Sequence, residues 1–115
     1  MGDPNVGKTT LIQRFLTNNL PEIPKATVGA LEHHRTLYLN KSMKDLKLAL
    51  WDIAGGQGPV SDLTSMYYRD ADACIMVFDV TERETYHNLK AQWIEAVREK
   101  APDGVVIVIV GNKCE

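Results

Sequence analysis

The spacing of apolar residues changes along this chain, and each spacing predicts a different element. Residues 8–18 carry apolar side chains at every third or fourth position, which is the stripe of an amphipathic helix. Residues 31–39 mix leucines with histidines and an arginine, and residues 46–52 alternate apolar with polar positions after a polar turn at 40–44. These patterns predict two antiparallel strands, the first of them at a sheet edge.

Two nearly continuous apolar runs, 73–80 and 105–110, flank a helical pattern at residues 83–100. Such runs on either side of an amphipathic helix are typical of a parallel sheet that is covered on both faces. A glycine-rich loop at 54–61 and a short helix at 62–68 complete the order helix, hairpin, loop and short helix, strand, helix, strand. The predicted fold class is therefore α/β. The apolar stripe of the long helix consists of Tyr86, Leu89, Trp93, Ile94 and Val97.

Length and composition limit the chain to one ordinary globular domain or part of one. It has 115 residues, of which 44% are hydrophobic and 24% charged, and its net charge is -2. Because no basic run is present, we expect no nucleic-acid partner. Cys74 and Cys114 lack the spacing of a zinc motif or a disulfide framework, which favours a reduced, intracellular chain.

No segment of the sequence predicts a membrane anchor. The sequence contains neither a signal peptide nor an apolar run long enough to span a bilayer. Val6 stands where a myristoylation signal needs Ser or Thr, and residues 112–115 do not form a prenylation box. We therefore expect a cytoplasmic protein, which would associate with membranes only through a lipidated C-terminus beyond residue 115.

The opening residues carry the most specific chemical pattern. Gly2 and Gly7, followed directly by Lys8 and Thr9, have the spacing of a phosphate-binding loop. The glycines let backbone N–H groups converge on phosphate oxygens at the start of a helix. Lys8 can bridge the outer phosphates, and the Thr9 hydroxyl suits Mg²⁺. The simpler alternative is a glycine-containing turn that caps a helix.

Two further groups of polar residues follow apolar strands. Asp52 closes the second strand of the hairpin, where it can hold Mg²⁺ through water or merely solvate the strand end. A backbone N–H near Gly55 can contact a terminal phosphate. After the last apolar run, Asn112 and Glu115 can read the edge of a purine, while Lys113 can lie along the base or brace the phosphate loop.

In this order and spacing, the motifs resemble those of a small Ras-superfamily GTPase, most of all its Rab branch. The resemblance covers nearly the whole chain and implies a P-loop NTPase fold, with a Ras-like, mostly parallel sheet and helices on both faces. Asp79 matches one motif, but we expect it to end a strand rather than to take part in chemistry. The matching segments are residues 2–9, 27–29, 51–55, 66–71, 78–81 and 111–113.

The resemblance also implies ligands and residue roles. GTP or GDP would bind together with Mg²⁺, which Thr9, Thr27 and Asp52 would hold. During hydrolysis Lys8 would stabilise phosphate charge, Thr27 would close on the terminal phosphate, and Gln57 would position the attacking water. The residues implied in nucleotide binding are Gly2, Asp3, Pro4, Asn5, Val6, Gly7, Lys8, Thr9, Thr10, Thr27, Gly55, Asn112, Lys113 and Glu115.

Two segments, residues 19–30 and 54–69, correspond to the switches of the family. By resemblance, effector and regulator proteins would bind these segments, and Tyr67 and Tyr68 would help to form the surface that effectors contact. Regulators that exchange nucleotide or stimulate hydrolysis are implied by the resemblance alone.

The sequence departs from the family pattern at both ends. Only Met1 precedes Gly2, and the chain stops at Glu115, so we expect a single partial domain over residues 1–115. It would lack the first strand of the family fold and its last strand and helices, and it would be marginally stable by itself. Glu115 also stands where the family has aspartate, and poor placement of its carboxylate would leave guanine donors unpaired.

A further departure lies in the second switch. Gly56 separates Gly55 from Gln57, and one residue more than in the family precedes the tyrosine pair. Either an inserted glycine shifts Gln57, or Gly56 has replaced the catalytic glutamine. A misplaced amide would slow hydrolysis without abolishing nucleotide binding.

Several functions therefore compete. The first is a Rab-like guanine-nucleotide switch that hydrolyses GTP slowly with Mg²⁺ in vesicle or membrane trafficking. The alternatives are a Rab-like binding protein that is deficient in hydrolysis or poor in nucleotide, and a non-functional fragment of a GTPase. An ATP-dependent kinase fits less well, because residues 111–113 suit guanine and no arginine-rich lid is evident.

Overall fold

Two separate two-stranded sheets frame the structure, a computed structural model that describes residues 1–20, 25–59 and 61–115. The first sheet is an antiparallel hairpin of β1 (Ala30–Leu39) and β2 (Lys44–Ile53). A short polar turn joins the two strands, and every residue of β1 has a partner in β2. The predicted hairpin is therefore confirmed.

Two helices flank the hairpin in sequence. Helix α1 (Lys8–Thr17) precedes it, and α2 (Asp62–Tyr68) follows it after a 3-10 turn at Gly55–Gln57. Ser61 caps α2, since its hydroxyl oxygen accepts the Thr64 N–H at 3.1 Å. Both predicted helices are confirmed. Within the part of the chain that the structure describes, no helix is long and apolar enough to cross a membrane.

The second sheet is a parallel pair of β3 (Ala73–Asp79) and β4 (Val106–Asn112). Parallel strands need a crossover connection, and here one long helix provides it. This helix consists of α3 (Arg83–Asn88), a π-helical segment (Leu89–Trp93) and α4 (Ile94–Lys100). The sequence predicts the helix and the parallel pairing, and both are confirmed, but the π-helical segment is a finding of the structure.

The core lies between the parallel pair and the long helix. The predicted stripe of this helix is confirmed at four of its five positions, but Tyr86 is 39% exposed. Its ring lies at the border of the core against Phe78, with the ring centroids 5.1 Å apart. Burial raises the pKa of the Cys74 thiol, which packs as a small apolar group. The buried members of this core are Tyr68, Cys74, Met76, Leu89, Trp93, Ile94 and Val97.

The segment before α1 occupies the gap between the two sheets. Met1 extends the edge of the parallel pair, because its nitrogen donates to the Ile75 carbonyl at 2.6 Å and its carbonyl accepts the Val77 N–H at 2.8 Å. On the other side, a side chain at Gly55 would meet the backbone of this segment at 2.5 Å. The α/β class is thus confirmed, but in the described residues the expected sheet is two sheets, and residues 1–4 contact β3 and the loop after β2.

Candidate functional site

The predicted phosphate loop forms a tight turn in front of α1. Gly2 and Gly7 have φ angles of 137° and 96°, which favour glycine, while Pro4 and Asn5 form an exposed tip between them. Gly7 is the N-cap residue of α1, and the helix has no side-chain cap. The N–H groups of its first turn therefore point toward the loop, where a helix N-terminus attracts anions such as phosphate.

Val6 and Asn112 fix this loop to the parallel pair. The Val6 side chain is fully buried, and its carbonyl oxygen accepts the side-chain N–H of Asn112 at 2.8 Å. A side chain at Gly7 would collide with the same amide nitrogen, so a glycine is needed for this contact. The amide predicted to read guanine thus also ties the carboxyl end of β4 to the phosphate loop.

Lys8 folds back over the loop. Its ammonium nitrogen Nζ donates to the carbonyl oxygens of Gly2 and Asp3 at 2.9 and 2.7 Å. Burial lowers the pKa of Lys8, while the nearby carboxylates of Asp52 and Asp3 act in the opposite direction. The partly desolvated positive charge of Lys8 therefore lies beside the N-terminus of α1. Thr10, which is also predicted to bind nucleotide, lies in the first turn of α1 and is half-buried.

Thr9, Thr27 and Asp52, the three residues predicted to hold Mg²⁺, lie in contact with one another. The Thr9 hydroxyl donates to Asp52 Oδ2 at 2.6 Å and lies 2.6 Å from the Thr27 hydroxyl oxygen. Thr27 also donates to Asp52 Oδ2, at 3.4 Å. The three side chains come from α1, from the segment before β1 and from the end of β2, so the fold itself brings them together.

The Asp52 carboxylate has chemistry that suits a magnesium ion. Asp52 is 1% exposed, and its second oxygen, Oδ1, has no hydrogen-bond partner among residues 1–20, 25–59 and 61–115. A buried, unpaired carboxylate oxygen is unfavourable, and Mg²⁺ prefers oxygen ligands. Two hydroxyls and this carboxylate therefore fit Mg²⁺. In the same described ranges, no group of three or more His, Cys, Asp or Glu side chains could hold a metal.

Lys113 and Asp79 form an ion pair at the carboxyl ends of β4 and β3. The distance from Lys113 Nζ to Asp79 Oδ2 is 2.6 Å. Asp79 Oδ1 also accepts the Thr81 N–H at 2.9 Å and the Thr81 hydroxyl at 2.7 Å. Hydrogen bonds from Lys113 and then Thr81 lower the pKa of Asp79 to about 2. The structure thus places Lys113 against Asp79, while Glu115 is exposed beyond them.

From the sequence, Asp79 is expected only to end a strand. In the structure its carboxylate accepts two hydrogen bonds from Thr81 and pairs with Lys113, one of the residues implied in nucleotide binding. The sequence does contain a signal for this contact. Carboxyl ends of neighbouring parallel strands meet at one edge of a sheet, and in the register Asp79 lies opposite Asn112.

The loop after β2 begins with the 3-10 turn that contains Gln57, the residue predicted to position water. The Ala54 N–H donates to the Gly29 carbonyl at 2.8 Å, which links this loop to the segment that carries Thr27. Gly56 is exposed, and, apart from the glycine and its two chain neighbours, no atom of the described residues lies within 4 Å of the point where its side chain would begin. There is therefore room for a side chain at position 56.

The predicted partner-binding segments are described except for residues 21–24 and 60, which lie outside the described part of the chain. Tyr67 packs on Trp51 with the ring centroids 5.5 Å apart, and Trp51 is 43% exposed. Tyr68, in contrast, is fully buried, and its hydroxyl donates to the Pro59 carbonyl at 2.9 Å. The prediction of an effector surface is wrong for Tyr68, because successive helical residues point about 100° apart.

The fold and the loop define an α/β protein of the phosphate-loop class, with polar residues gathered where strands end. Comparison with known sequences leads to the same class, since the description "Ras family" matches residues 1–115, the whole chain. The chain belongs to the Ras family. The resemblance to a Ras-superfamily GTPase is therefore confirmed.

Curated relatives carry Rab names or related ones over the full chain. Ras-related protein RABA4d of Arabidopsis thaliana is 38% identical over 115 residues, which are 100% of this chain and 50% of that protein. Ras-related protein Rab11A of Lotus japonicus is 36% identical over 100% of this chain and 49% of its own length. GTP-binding protein ypt5 of Schizosaccharomyces pombe is also 36% identical, over 100% of this chain and 53% of its own length. The chain spans about half the length of these relatives.

The Asp79–Lys113 pair predicts how acid affects stability. The pKa of Asp79 in the fold is about 2, below its ordinary value of 3.8, so ionised Asp79 stabilises the fold above about pH 4. This contribution is lost as the pH falls toward 2. In urea denaturation, Asp79→Asn should therefore have a lower free energy of unfolding than the unaltered chain at about pH 5, and the difference should close by about pH 2.

A matched control for this measurement is Glu82→Gln, which removes an exposed carboxylate from the turn that follows β3. It should follow the unaltered chain at both pH values. A difference between Asp79→Asn and the unaltered chain that is equally large at both pH values would contradict a role for the ionised pair.

Proposed function

We propose that this chain binds a guanine nucleotide with Mg²⁺ and acts as a Rab-like molecular switch that slowly hydrolyses GTP to GDP. The observation that carries the proposal is the contact of Thr9, Thr27 and Asp52 beside the phosphate loop, where one buried Asp52 oxygen has no partner among the described residues. These side chains supply the oxygen ligands that Mg²⁺ prefers. Membership of the Ras family supports the same assignment.

Phosphate binding would depend on groups that the loop already orients. The N–H groups at the start of α1 would donate to phosphate oxygens, and Lys8 would supply positive charge from its position across the loop. Bound Mg²⁺ would add positive charge beside the outer phosphates. Hydrolysis would proceed by in-line attack of water on the terminal phosphate, while Lys8 and the loop N–H groups stabilise the developing negative charge.

Preference for guanine would depend on residues 112–115. Asn112 is held against the phosphate loop by its bond to Val6, and Lys113, the next residue, is fixed by its ion pair with Asp79. Glu115 would accept guanine N–H groups in the place of the aspartate of the family. Its longer side chain loses more rotamer freedom on binding, which would weaken the selection of guanine without abolishing it.

Partners and cellular setting are proposed from the family. The accessible pair of Trp51 and Tyr67 would form part of the surface that effector and regulator proteins contact, together with residues 19–30 and 54–69. The Rab names of the relatives favour a role in vesicle trafficking. The setting would be the cytoplasm, and association with a membrane would require a lipidated segment outside residues 1–115.

A second candidate function is a Rab-like binding protein that is deficient in hydrolysis. It is favoured by Gly56, which follows Gly55 directly at the place where the family has its glutamine. Since Gly56 has no side chain, it cannot orient a water molecule. Such a protein would still bind guanine nucleotide, because the phosphate loop and the Thr9, Thr27 and Asp52 contact are separate from this position.

Identifying bound nucleotide tests the proposed binding. The purified chain is incubated with GDP, GTP, ADP and ATP in Mg²⁺, separated from unbound nucleotide and denatured, and the released nucleotide is identified. We expect guanine nucleotide from the unaltered chain and from Lys41→Ala, which removes an exposed lysine in the hairpin turn. Lys8→Ala should release much less, because a desolvated charge at the phosphates is lost. Release of adenine nucleotide, or of none, contradicts the proposal.

Two substitutions distinguish a protein that hydrolyses GTP slowly from one that is deficient in GTP hydrolysis. Gly56→Gln places an amide where the structure leaves room, and we expect it to raise the rate of GTP hydrolysis by roughly tenfold to a hundredfold, since it orients the attacking water. If the protein is deficient in hydrolysis because Gly56 has replaced the glutamine, Gln57→Ala should change the rate little. If Gln57→Ala abolishes hydrolysis and Gly56→Gln leaves the rate unchanged, Gln57 is the water-positioning residue and the deficiency is excluded.

A further inference from the structure

The Asp3 side chain turns away from the phosphate side of the loop and toward the long helix. Its Oδ1 accepts the indole N–H of Trp93 at 2.8 Å, and its Oδ2 accepts the amide N–H of Asn88 at 2.7 Å. Trp93 is 1% exposed. A buried indole N–H needs an acceptor, and a carboxylate gives the stronger, charge-assisted kind of hydrogen bond. Asp3 therefore joins the phosphate loop to the core helix.

The π-helical segment explains how two side chains of one helix reach a single carboxylate. Asn88 and Trp93 are five positions apart, and in a regular α-helix they would point about 140° apart around the axis. Here the Ile94 N–H donates to the Leu89 carbonyl, five residues earlier, which widens the turn between them. Residues that are five apart then lie on one side of the helix. The widened turn thus lies where the helix meets the loop.

The same residue contacts the other side of the site through its backbone. The Asp3 carbonyl oxygen accepts one of the two hydrogen bonds that hold the Lys8 ammonium. The Asp3–Pro4 peptide also packs on Gly55, where a side chain would meet Asp3 C and Pro4 N at 2.5 Å. Asp3 therefore links three parts of the molecule: the long helix, the phosphate-loop lysine and the start of the second switch.

We propose that Asp3, Asn88 and Trp93 form a clamp that positions the phosphate loop, with Asp3 as a positioning residue for Lys8. This inference rests on the proposed binding of guanine nucleotide. It adds a role in that binding for Asn88 and Trp93 of the long helix, which contact the Asp3 side chain. Because the clamp fixes the Asp3 peptide, it also fixes the position of the Asp3 carbonyl oxygen, which accepts a hydrogen bond from the Lys8 ammonium. Loosening the clamp speeds the release of nucleotide without removing any group that contacts the phosphates.

Variants of the clamp test this through the rate of GDP release. In Asp3→Asn one carboxylate oxygen becomes an NH2 group, so a donor faces a donor, since both partners of Asp3 donate. Trp93→Phe keeps an aromatic ring and removes the indole N–H. With a fluorescent GDP analogue and Mg²⁺, each variant should release nucleotide roughly tenfold faster than the unaltered chain, which is the effect expected for a lost charge-assisted hydrogen bond.

The control is Lys90→Ala. Lys90 lies in the same π-helical segment, but its ammonium is 5.7 Å from the centroid of the Tyr86 ring and makes no hydrogen bond to Asp3. It should release GDP within about twofold of the unaltered rate. The double variant Asp3→Asn with Trp93→Phe should release GDP no faster than about the quicker single variant, because both substitutions break the same Asp3–Trp93 hydrogen bond. Rates that multiply in the double variant would mean separate structural damage and would overturn the clamp.

A second measurement uses the unaltered chain and needs no clamp variant. The chain has two tryptophans, so its ¹⁵N–¹H spectrum has two indole signals, and the Trp51→Phe variant identifies that of Trp93. Addition of GDP with Mg²⁺ should shift the Trp93 indole signal, as the loop tightens on its ligand. If GDP binds and this signal does not move, or if both clamp variants fold and release GDP at the unaltered rate, the clamp is overturned while the proposed function stands. If the unaltered chain does not bind GDP, both fall.

Discussion

The buried carboxylate of Asp52 is the constraint on which the site depends. One of its oxygens accepts hydrogen bonds from two threonine hydroxyls, and the other is buried without a partner among the residues that the structure describes. A buried charged group with one unpaired oxygen is destabilising by a few kcal/mol unless a cation or donor compensates it. A magnesium ion would supply that compensation, because it prefers oxygen ligands, and the Thr9 and Thr27 hydroxyls would bring two further oxygens to it beside the Asp52 carboxylate.

Gly7 and Gly55 lie where neighbouring atoms leave no space for a side chain. Residues 1–7 run between the two sheets, so their backbone touches β3 on one side and the loop after β2 on the other. At Gly7 the Asn112 amide occupies the space of a side chain, and at Gly55 the Asp3–Pro4 peptide does. The loop that would hold phosphate is therefore fixed by packing from three directions. Its anchors are the buried Val6 side chain, the Asn112 amide and the Asp3 carboxylate.

Much of the fold could be predicted because apolar periodicity and turn residues are local signals. The hairpin, the parallel pair and the helix between its strands all follow from spacing, and the motifs gave the residues that meet around Asp52. What could not be predicted depends on geometry across the chain. The π-helical turn has no local signal in residues 89–93, and without it the Asp3 contact with both Asn88 and Trp93 cannot be foreseen. Burial of Tyr68 depends on the direction of α2, which a pair of adjacent tyrosines does not fix.

The Asp52 site and the phosphate loop are proposed to form one Mg²⁺-dependent nucleotide site. Calorimetric titration of GDP into the unaltered chain, once with Mg²⁺ and once with a chelator, tests it most directly. We expect GDP to bind in Mg²⁺ with an affinity that falls at least about tenfold in the chelator, and Asp52→Asn to bind GDP with nearly the same affinity in both. Equal affinity of the unaltered chain with and without Mg²⁺, or no binding in either, would contradict it.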